Sequence, residues 1–296
     1  MSLNIIFHIY IFWSLLIHSY RDTYGLDDVI WLNCDEILNS CFFSADLIQL
    51  TVLDSIDSTN NYLLQKLSID SVDTHKLYVV VSELQMNGRG RHGRVWHSGL
   101  ANCLTLSVLW RFDRDLTHLA GLSLVVGLAI VRSLRFFSAE DIRLKWPNDI
   151  IFNNEKLAGI LTEIKSIDGS AFAVIGIGIN FYLPDSLRLL INQDITDLYQ
   201  ITGRYLNRNH LLGSLLSELR STLEDFDRYG FQIFKDEWTK NHAYEDCFVS
   251  LKLPTGERID GIVRGVNDAG ALNLATCNGE HSYNIGDVSL RLKSII

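Results

Sequence analysis

The chain has 296 residues, of which 47% are apolar and 21% are charged, and its formal net charge is −9. These values predict a folded globular protein of one or two domains and exclude a largely disordered chain. The acidic balance also argues against a surface that binds nucleic acid through many phosphate contacts, because that affinity comes mostly from basic charge.

The N-terminus is apolar and lacks positive charge. Residues 1–20 contain no Lys, Arg, Asp or Glu, and such a run is long enough to span a bilayer. It has neither the basic start nor the cleavage site of a signal peptide, so we expect a packed or divergent element instead of a membrane anchor. Residues 21–50 contain Arg21 as their only basic residue, so we expect no DNA-binding module there.

Strand and helix patterns follow from residue 47 onwards. Runs rich in apolar and β-branched residues predict strands at 47–56, 76–84, 102–110, 142–146 and 171–180, and a hairpin at 150–164 with Asn153 and Asn154 at its turn. Helical patterns cover 57–67, 116–136, 186–200 and 209–229. After Asp246, short β runs separated by turn residues predict a small barrel or sandwich. The fold class is therefore α+β with a mixed sheet.

The five cysteines are Cys34, Cys41, Cys103, Cys247 and Cys277. Their number is odd, they are widely scattered, and none forms a CxxC pair. Neither a zinc site nor a disulfide framework is indicated, so we expect free, buried thiols and a reducing compartment.

Residues 88–97, GRGRHGRVWH, form the most unusual stretch of the chain. Arg89, Arg91 and Arg94 supply planar, permanently charged donors that suit phosphate and carboxylate. The neighbouring glycines, such as Gly90, allow backbone N–H groups to face the same ligand. Two hypotheses fit this composition: an arm that lies along nucleic-acid phosphates, or a loop that closes over one small anionic ligand.

The other motifs in the sequence favour the second hypothesis, a loop that closes over one small anionic ligand. In chain order, the sequence contains DSTN at 57–60, GRGRHGRVW at 88–96, KWPND at 145–149, KLAGILTE at 156–163 and GIGIN at 176–180. Together these motifs resemble the biotin protein ligase family, from about residue 25 to the C-terminus. The resemblance implies a catalytic domain at 47–245, similar to class II aminoacyl-tRNA synthetases, and an SH3-like β-barrel at 246–296. Residues 1–46 are then a divergent segment, too short for the winged helix of the family's repressors, and we expect no operator binding.

The resemblance implies an ATP-dependent ligase. Biotin and ATP, with Mg²⁺, would give biotinyl-5′-adenylate, and a lysine of the biotin carboxyl carrier protein of acetyl-CoA carboxylase would then accept the biotinyl group. We expect a cytoplasmic enzyme, and members of this family often form homodimers. A ligase for lipoate or octanoate remains an alternative, and a nucleic-acid-binding module is a more distant one.

The resemblance also implies which residues act. Arg91 and Lys156 would be catalytic. The biotin contacts would be Ser58, Thr59, Asn60, Gln85, Arg89, Gly90, Arg91 and Lys156. The ATP and adenylate contacts would be Arg91, Arg94, Trp96, Asn148, Asp149, Asn180 and Arg291, with Asp149 also a candidate Mg²⁺ ligand. Residues 181–195, which would cover the adenine, contain no Trp, so the sequence identifies no stacking partner.

Overall fold

The computed structural model describes residues 29–69, 72–73, 75–284 and 289–293. Its helices are α1 (Cys34–Asn39), α2 (Thr59–Ile69), α3 (Leu122–Phe136), α4 (Asp185–Arg188), α5 (Leu198–Thr202), α6 (Arg208–Tyr229) and α7 (Lys235–Asn241). Its strands are β1 (Ile48–Ile56), β2 (Leu77–Gln85), β3 (Gly88–Arg89), β4 (Val95–Trp96), β5 (Cys103–Phe112), β6 (Arg143–Lys145), β7 (Asp149–Phe152), β8 (Glu155–Ile167), β9 (Ser170–Asn180), β10 (Phe248–Lys252), β11 (Arg258–Val266), β12 (Leu272–Thr276), β13 (Gly279–Tyr283) and β14 (Ser289–Leu292). The apolar stretch 1–20 lies outside the described residues. Among those described, no helix has the length and apolar character needed to cross a membrane.

The larger sheet has seven strands in the order β1-β2-β5-β9-β8-β7-β6. Strands β1 and β2 are parallel, and the other neighbours are antiparallel. The mixed sheet predicted from the sequence is therefore confirmed. The predicted hairpin is formed by β7 and β8, and its turn residues Asn153 and Asn154 both have positive φ, as a tight hairpin of this kind requires.

The two faces of this sheet bury different helices, because side chains alternate along each strand. Ile175 of β9 belongs to the main core, which includes α3 and α6, whereas Val174 packs with Leu63 of α2. Gly176 and Gly178 share the α2 face with Val174 by the same alternation. This face carries the candidate site.

The helix predicted at 186–200 is wrong as a single element. The structure has α4 and α5 instead, separated by a stretch without regular secondary structure. The Lys156 N–H donates to the Asp194 carbonyl at 2.9 Å, and the Thr196 N–H donates to the Lys156 carbonyl at 3.0 Å. Because these backbone groups bond to β8, they are unavailable for helical bonds, and the apolar pattern reflects packing of an irregular segment.

Residues 30–36 pack against β2 and α6 through hydrogen bonds to buried polar side chains. Glu83 of β2 forms an ion pair with Arg208 of α6 at 2.7 Å, with both side chains at most 5% exposed. Glu83 also accepts the Leu32 N–H, and Arg208 donates to the Ile30 carbonyl. Asn209 bonds to the backbone of both Trp31 and Asn33. A buried pair needs such additional bonds to offset the loss of hydration.

The smaller sheet is antiparallel, with the strand order β13-β12-β11-β10-β14. These five strands confirm the prediction that the region after Asp246 consists of short β-strands. The indole of Trp146, in the KWPND motif, donates to the Gly270 carbonyl at 3.1 Å and so ties this sheet to the larger one. The five cysteines are all free, as expected, but the expectation of buried thiols holds only for Cys103: Cys41 and Cys247 are half-buried, and Cys34 and Cys277 are exposed.

Candidate active site

The candidate active site is a cleft over the α2 face of the larger sheet, with about 710 Å³ of space that is partly open to solvent. Among its lining residues are Ser58, Thr59, Asn60, Gln85, Arg89, Gly90, Arg91, Arg94, Trp96, Asn148, Lys156, Gly159, Gly176, Gly178 and Gln193. A second cavity adjoins it and leads toward β14. The two share Arg91, Arg94, Asn148, Lys156 and Gln193. The motifs at 57–60, 88–96, 145–149, 156–163 and 176–180 therefore contribute to one continuous depression.

Gly159, Gly176 and Gly178 line the floor of the cleft, because neighbouring side chains pack directly against the backbone at these positions. A Cβ on Gly176 would lie within 3.0 Å of the Asn60 amide, and one on Gly178 would collide with the Trp96 indole. A Cβ on Gly159 would be 3.1 Å from the Lys156 ammonium. The space above Gly159 and Gly178 is thus occupied by this chain's own Lys156 and Trp96 side chains.

One end of the cleft, which we call the ring end, consists of Thr59, Asn60, Gln85 and Ser107. The Gln85 side-chain amide oxygen accepts the Thr59 backbone N–H at 2.9 Å and lies 3.0 Å from the Thr59 hydroxyl oxygen. The Ser107 hydroxyl lies 2.7 Å from the Thr59 hydroxyl and also contacts the Asn60 amide oxygen. Thr59, Asn60 and Ser107 are each at most 3% exposed, so this end is a fixed set of polar atoms in a dry setting.

Glu163 connects the ring end to the start of the Gly/Arg loop. It accepts a hydrogen bond from the Asn60 amide at 2.9 Å and forms an ion pair with Arg89 at 2.9 Å. Arg89 also donates to the Asn61 side chain at 2.6 Å. Arg89 is therefore held against the protein surface, which is not how an arm that tracks nucleic-acid phosphates would be arranged.

The Gly/Arg loop is a short hairpin in which β3 pairs with β4. His92 and Gly93, at its tip, both have left-handed backbone conformations, with φ of 59° and 70°. The Gly90 N–H donates to the Arg94 carbonyl at 2.7 Å, so it serves the loop and does not face a ligand as expected from the sequence. Gly88 is needed because a Cβ there would strike the Trp96 carbonyl.

The opposite end, which we call the phosphate end, is lined by Arg91, Arg94, Lys145, Lys156 and Arg291. Arg91 donates to the Asn148 side chain at 2.9 Å, and the Asn148 amide donates to the Ile160 carbonyl at 2.8 Å. The KWPND turn thus holds a loop arginine over the cleft.

Lys156 is positioned by charge and by an aromatic face. Its ammonium nitrogen lies 2.7 Å from an Asp149 carboxylate oxygen and 5.8 Å from the centroid of the Trp96 ring. Burial lowers the pKa of Lys145, and the nearby positive charges of Arg291, Lys156 and Arg94 lower it further, while Asp149 acts in the opposite direction. Such a concentration of cations is costly unless an anion enters.

Three residues predicted from the sequence do not line the first cleft: Asn180, Asp149 and Arg291. Asn180 is buried, and its amide donates to the carbonyls of Thr196 at 3.0 Å and Lys156 at 3.3 Å, so it supports the backbone behind Lys156. Arg291, on β14, lines only the second cavity. Ser58, immediately before α2, lines the cleft and accepts the Asn61 N–H at 3.5 Å. Asp149 is an ion-pair partner, and within the described ranges no group of three or more His, Cys, Asp or Glu residues is placed to hold a metal ion.

Sequence reasoning missed Ser107, Glu163 and Lys145. Each left a signal: Ser107 is a polar residue within a largely apolar strand, Glu163 ends the KLAGILTE motif, and Lys145 begins KWPND. The sequence did not show that Ser107, Glu163 and Lys145 lie near other site residues. Thr59 and Asn60 belong to α2 and Arg91 belongs to the Gly/Arg loop, both of which are distant from these three residues along the chain.

Comparisons with known proteins agree with this geometry. Residues 52–180 match the model of the biotin/lipoate A/B protein ligase family. The chain is 37% identical over 274 residues to the bifunctional ligase/repressor BirA of Escherichia coli, covering 90% of this chain and 81% of that protein. It is 32% identical over 249 residues to the biotin–[acetyl-CoA-carboxylase] ligase of Mycobacterium tuberculosis, covering 81% and 88%.

A solved structure agrees as well. The biotin protein ligase of Aquifex aeolicus, in complex with biotin and ATP, superposes with a TM-score of 0.69 at 29% identity, covering 83% of this chain and 99% of that one. The level of identity, its extent along both chains and the shared fold are sufficient to assign the family. The chain belongs to the biotin protein ligase family.

Proposed function

We propose that this chain attaches biotin to a protein lysine in two steps. A carboxylate oxygen of biotin attacks the α-phosphorus of ATP, and pyrophosphate leaves as biotinyl-5′-adenylate forms. The ε-amino nitrogen of an acceptor lysine then attacks the acyl carbon, and AMP leaves as the amide bond forms. The observation that carries this proposal is one continuous cleft with uncharged hydrogen-bonding groups at its ring end and cations at its phosphate end.

The ring end suits the bicyclic head of biotin. A cyclic urea presents two N–H donors and one carbonyl acceptor, and the Thr59 hydroxyl and the Gln85 amide supply matching groups at the cleft wall. Ser58 and Asn60 line the same end. Because Ser58, Thr59 and Asn60 are buried and hydrogen-bonded, this end discriminates well against rings that cannot bond to it.

The phosphate end suits the reaction itself. The carboxylate of biotin and the triphosphate of ATP repel each other, and Arg91, Arg94 and Lys156 would offset that repulsion where the two meet. Lys156 carries three N–H donors, of which Asp149 occupies one, so two remain for the carboxylate and the α-phosphate. Lys145 and Arg291 lie farther along the second cavity, where the departing pyrophosphate would be.

Magnesium enters this proposal with ATP as part of the substrate. Mg²⁺ is usually bound through one or two carboxylates together with substrate phosphates. Asp149 is directed at Lys156, which favours a positioning role for it over the direct metal contact expected from the sequence. Trp96, which lies over Gly159 and Gly178 beside Lys156, offers the nucleotide an aromatic face.

The acceptor in this proposal is a biotin carboxyl carrier protein domain, which is supported by the name of the Mycobacterium tuberculosis relative. A cytoplasmic location and a homodimer stay predictions. So does the absence of repressor activity, because part of the segment concerned, residues 1–28, lies outside the described residues.

The test is transfer of labelled biotin to a purified carrier domain in the presence of MgATP. We expect labelling of the carrier lysine, release of AMP and pyrophosphate, and no labelling when ATP is omitted. Lipoate and octanoate, offered in place of biotin, test the alternative ligase activity. If either supports faster transfer than biotin, while a control biotin ligase works under the same conditions, the proposed substrate is wrong.

A further inference from the structure

The Ser107 hydroxyl contacts two oxygen atoms and can donate its proton to only one of them. Ser107 lies on β5, is fully buried, and contacts both the Thr59 hydroxyl and the Asn60 amide oxygen. A serine hydroxyl donates a single hydrogen bond, whereas an amide oxygen can only accept. The choice that Ser107 makes therefore determines where the Thr59 proton points.

Glu163 determines which oxygen atom receives the Ser107 proton, because it fixes the orientation of the Asn60 amide. The Asn60 amide nitrogen donates to the Glu163 carboxylate at 2.9 Å and lies 3.4 Å from the Leu161 carbonyl, so two acceptors hold the NH₂ group on that side. The Asn60 oxygen must then face Ser107. Unless Ser107 donates to it, two buried oxygen atoms meet without a proton between them, which is unfavourable in a dry site.

The direction of this hydrogen bond determines which hydrogen-bonding groups the wall of the cleft presents. When Ser107 donates to Asn60, the Thr59 hydroxyl proton has two possible acceptors, Ser107 at 2.7 Å and Gln85 at 3.0 Å, and the shorter contact favours Ser107. The Gln85 oxygen then keeps the Thr59 backbone N–H and has one lone pair left, and the Thr59 oxygen has lone pairs left as well. The ring end thereby presents hydrogen-bond acceptors to whatever enters.

We propose that Ser107 is a positioning residue that sets ring specificity, since it orients the Thr59 hydroxyl so that Thr59 and Gln85 accept the two N–H groups of a cyclic urea. The inference rests on the proposed function and deepens it. Rings or chains without N–H groups, such as the dithiolane of lipoate or the alkyl chain of octanoate, would leave those acceptors unpaired and be rejected.

The test compares Ser107→Ala with a matched variant, Thr105→Val. Thr105 is also buried on β5, but its hydroxyl donates to the Ser82 backbone carbonyl and belongs to no side-chain network at the ring end. In Ser107→Ala the Thr59 hydroxyl is free to donate to Gln85 and fill its second lone pair. Affinity for biotin and for desthiobiotin, which keeps the cyclic urea, should fall about tenfold, the effect of losing one hydrogen bond.

Three further readouts separate positioning from general damage. The KM for ATP, the kcat of adenylate formation and the KM for octanoate should stay close to those of the wild type, and Thr105→Val should bind biotin normally. If Ser107→Ala does not fold, Ser107→Cys makes the same comparison, with a smaller loss because a thiol is a weaker donor. An unchanged biotin affinity, or an equal loss for octanoate, overturns the inference. A wild-type chain that does not bind biotin at all overturns the proposed function and this inference with it.

Discussion

The two ends of the cleft are built in opposite ways. At the ring end, side chains from α2, β2 and β5 are uncharged and bonded to one another, all of them buried except the half-buried Gln85, and the backbone beneath them is regular sheet. At the phosphate end, charged side chains come from the Gly/Arg hairpin loop, from β6 and β8 of the larger sheet and from β14 of the smaller sheet. Rigid hydrogen bonds suit recognition of an uncharged ring, whereas charge on adjustable side chains suits groups that change and depart during a reaction.

Lys156→Ala should have the largest effect, because it removes a lysine ammonium that lines both cavities. We expect the rate of adenylate formation to fall by about 10²–10³, the usual loss when one preorganised donor is removed. The affinity for biotin alone should change far less, since the ring end is intact. Pyrophosphate release under single-turnover conditions, beside a biotin titration, measures both. Equal losses in the two assays would contradict the division between the ends.

Arg91→Gly should loosen the phosphate end instead of abolishing its chemistry. The variant loses the bond to Asn148 that holds the loop over the cleft. Adenylate should still form but leave about ten to a hundred times faster, as expected for the loss of a charge-assisted hydrogen bond. The readout is indiscriminate labelling of lysines on a bystander protein. Wild-type selectivity in this variant would show that Arg91 does not retain the adenylate.

Two glycine variants on the same face of β9 should separate the ends. In Gly176→Ala the new methyl group displaces Asn60, and we expect the KM for biotin to rise about tenfold as a network bond is lost. In Gly178→Ala the methyl group displaces Trp96, and we expect the KM for ATP to rise instead. Steady-state kinetics with each substrate varied in turn provides the measurement. Both variants raising the same KM would mean that the two ends are not independent.

Lys145→Arg should have the smallest effect and should be visible mainly at alkaline pH. Burial lowers the pKa of Lys145 from its ordinary value of 10.5, so it loses its charge at a lower pH than an exposed lysine does. Since the protonated form binds phosphate, the KM for ATP should rise with pH as this group titrates. Arginine stays protonated, so the variant should show a flatter profile, with a difference of about threefold at most. Parallel profiles would rule out a phosphate contact by Lys145.

Regular elements were predictable from local pattern, and irregular ones were not. The strands and the long helices α3 and α6 follow from runs of apolar residues or helical spacing, because burial of one face dictates that spacing. The stretch 186–200 has a similar apolar content but lies against β8, and bonds to Lys156 replace helical ones. The Gly90 N–H was likewise assigned to a ligand by its sequence context, whereas the loop itself uses it.

The sequence by itself determined the family and most of the residues that surround the cleft, because five short motifs in a fixed order carry groups suited to carboxylate and phosphate. Only the tertiary structure decided which of those groups meet. Ser107, Glu163 and Lys145 gain their surroundings from chain segments far away in sequence, and hydrogen bonds and ion pairs act over a few ångströms. The orientation of a single hydroxyl in the ring end is therefore a property of the folded chain, which no local pattern could have indicated.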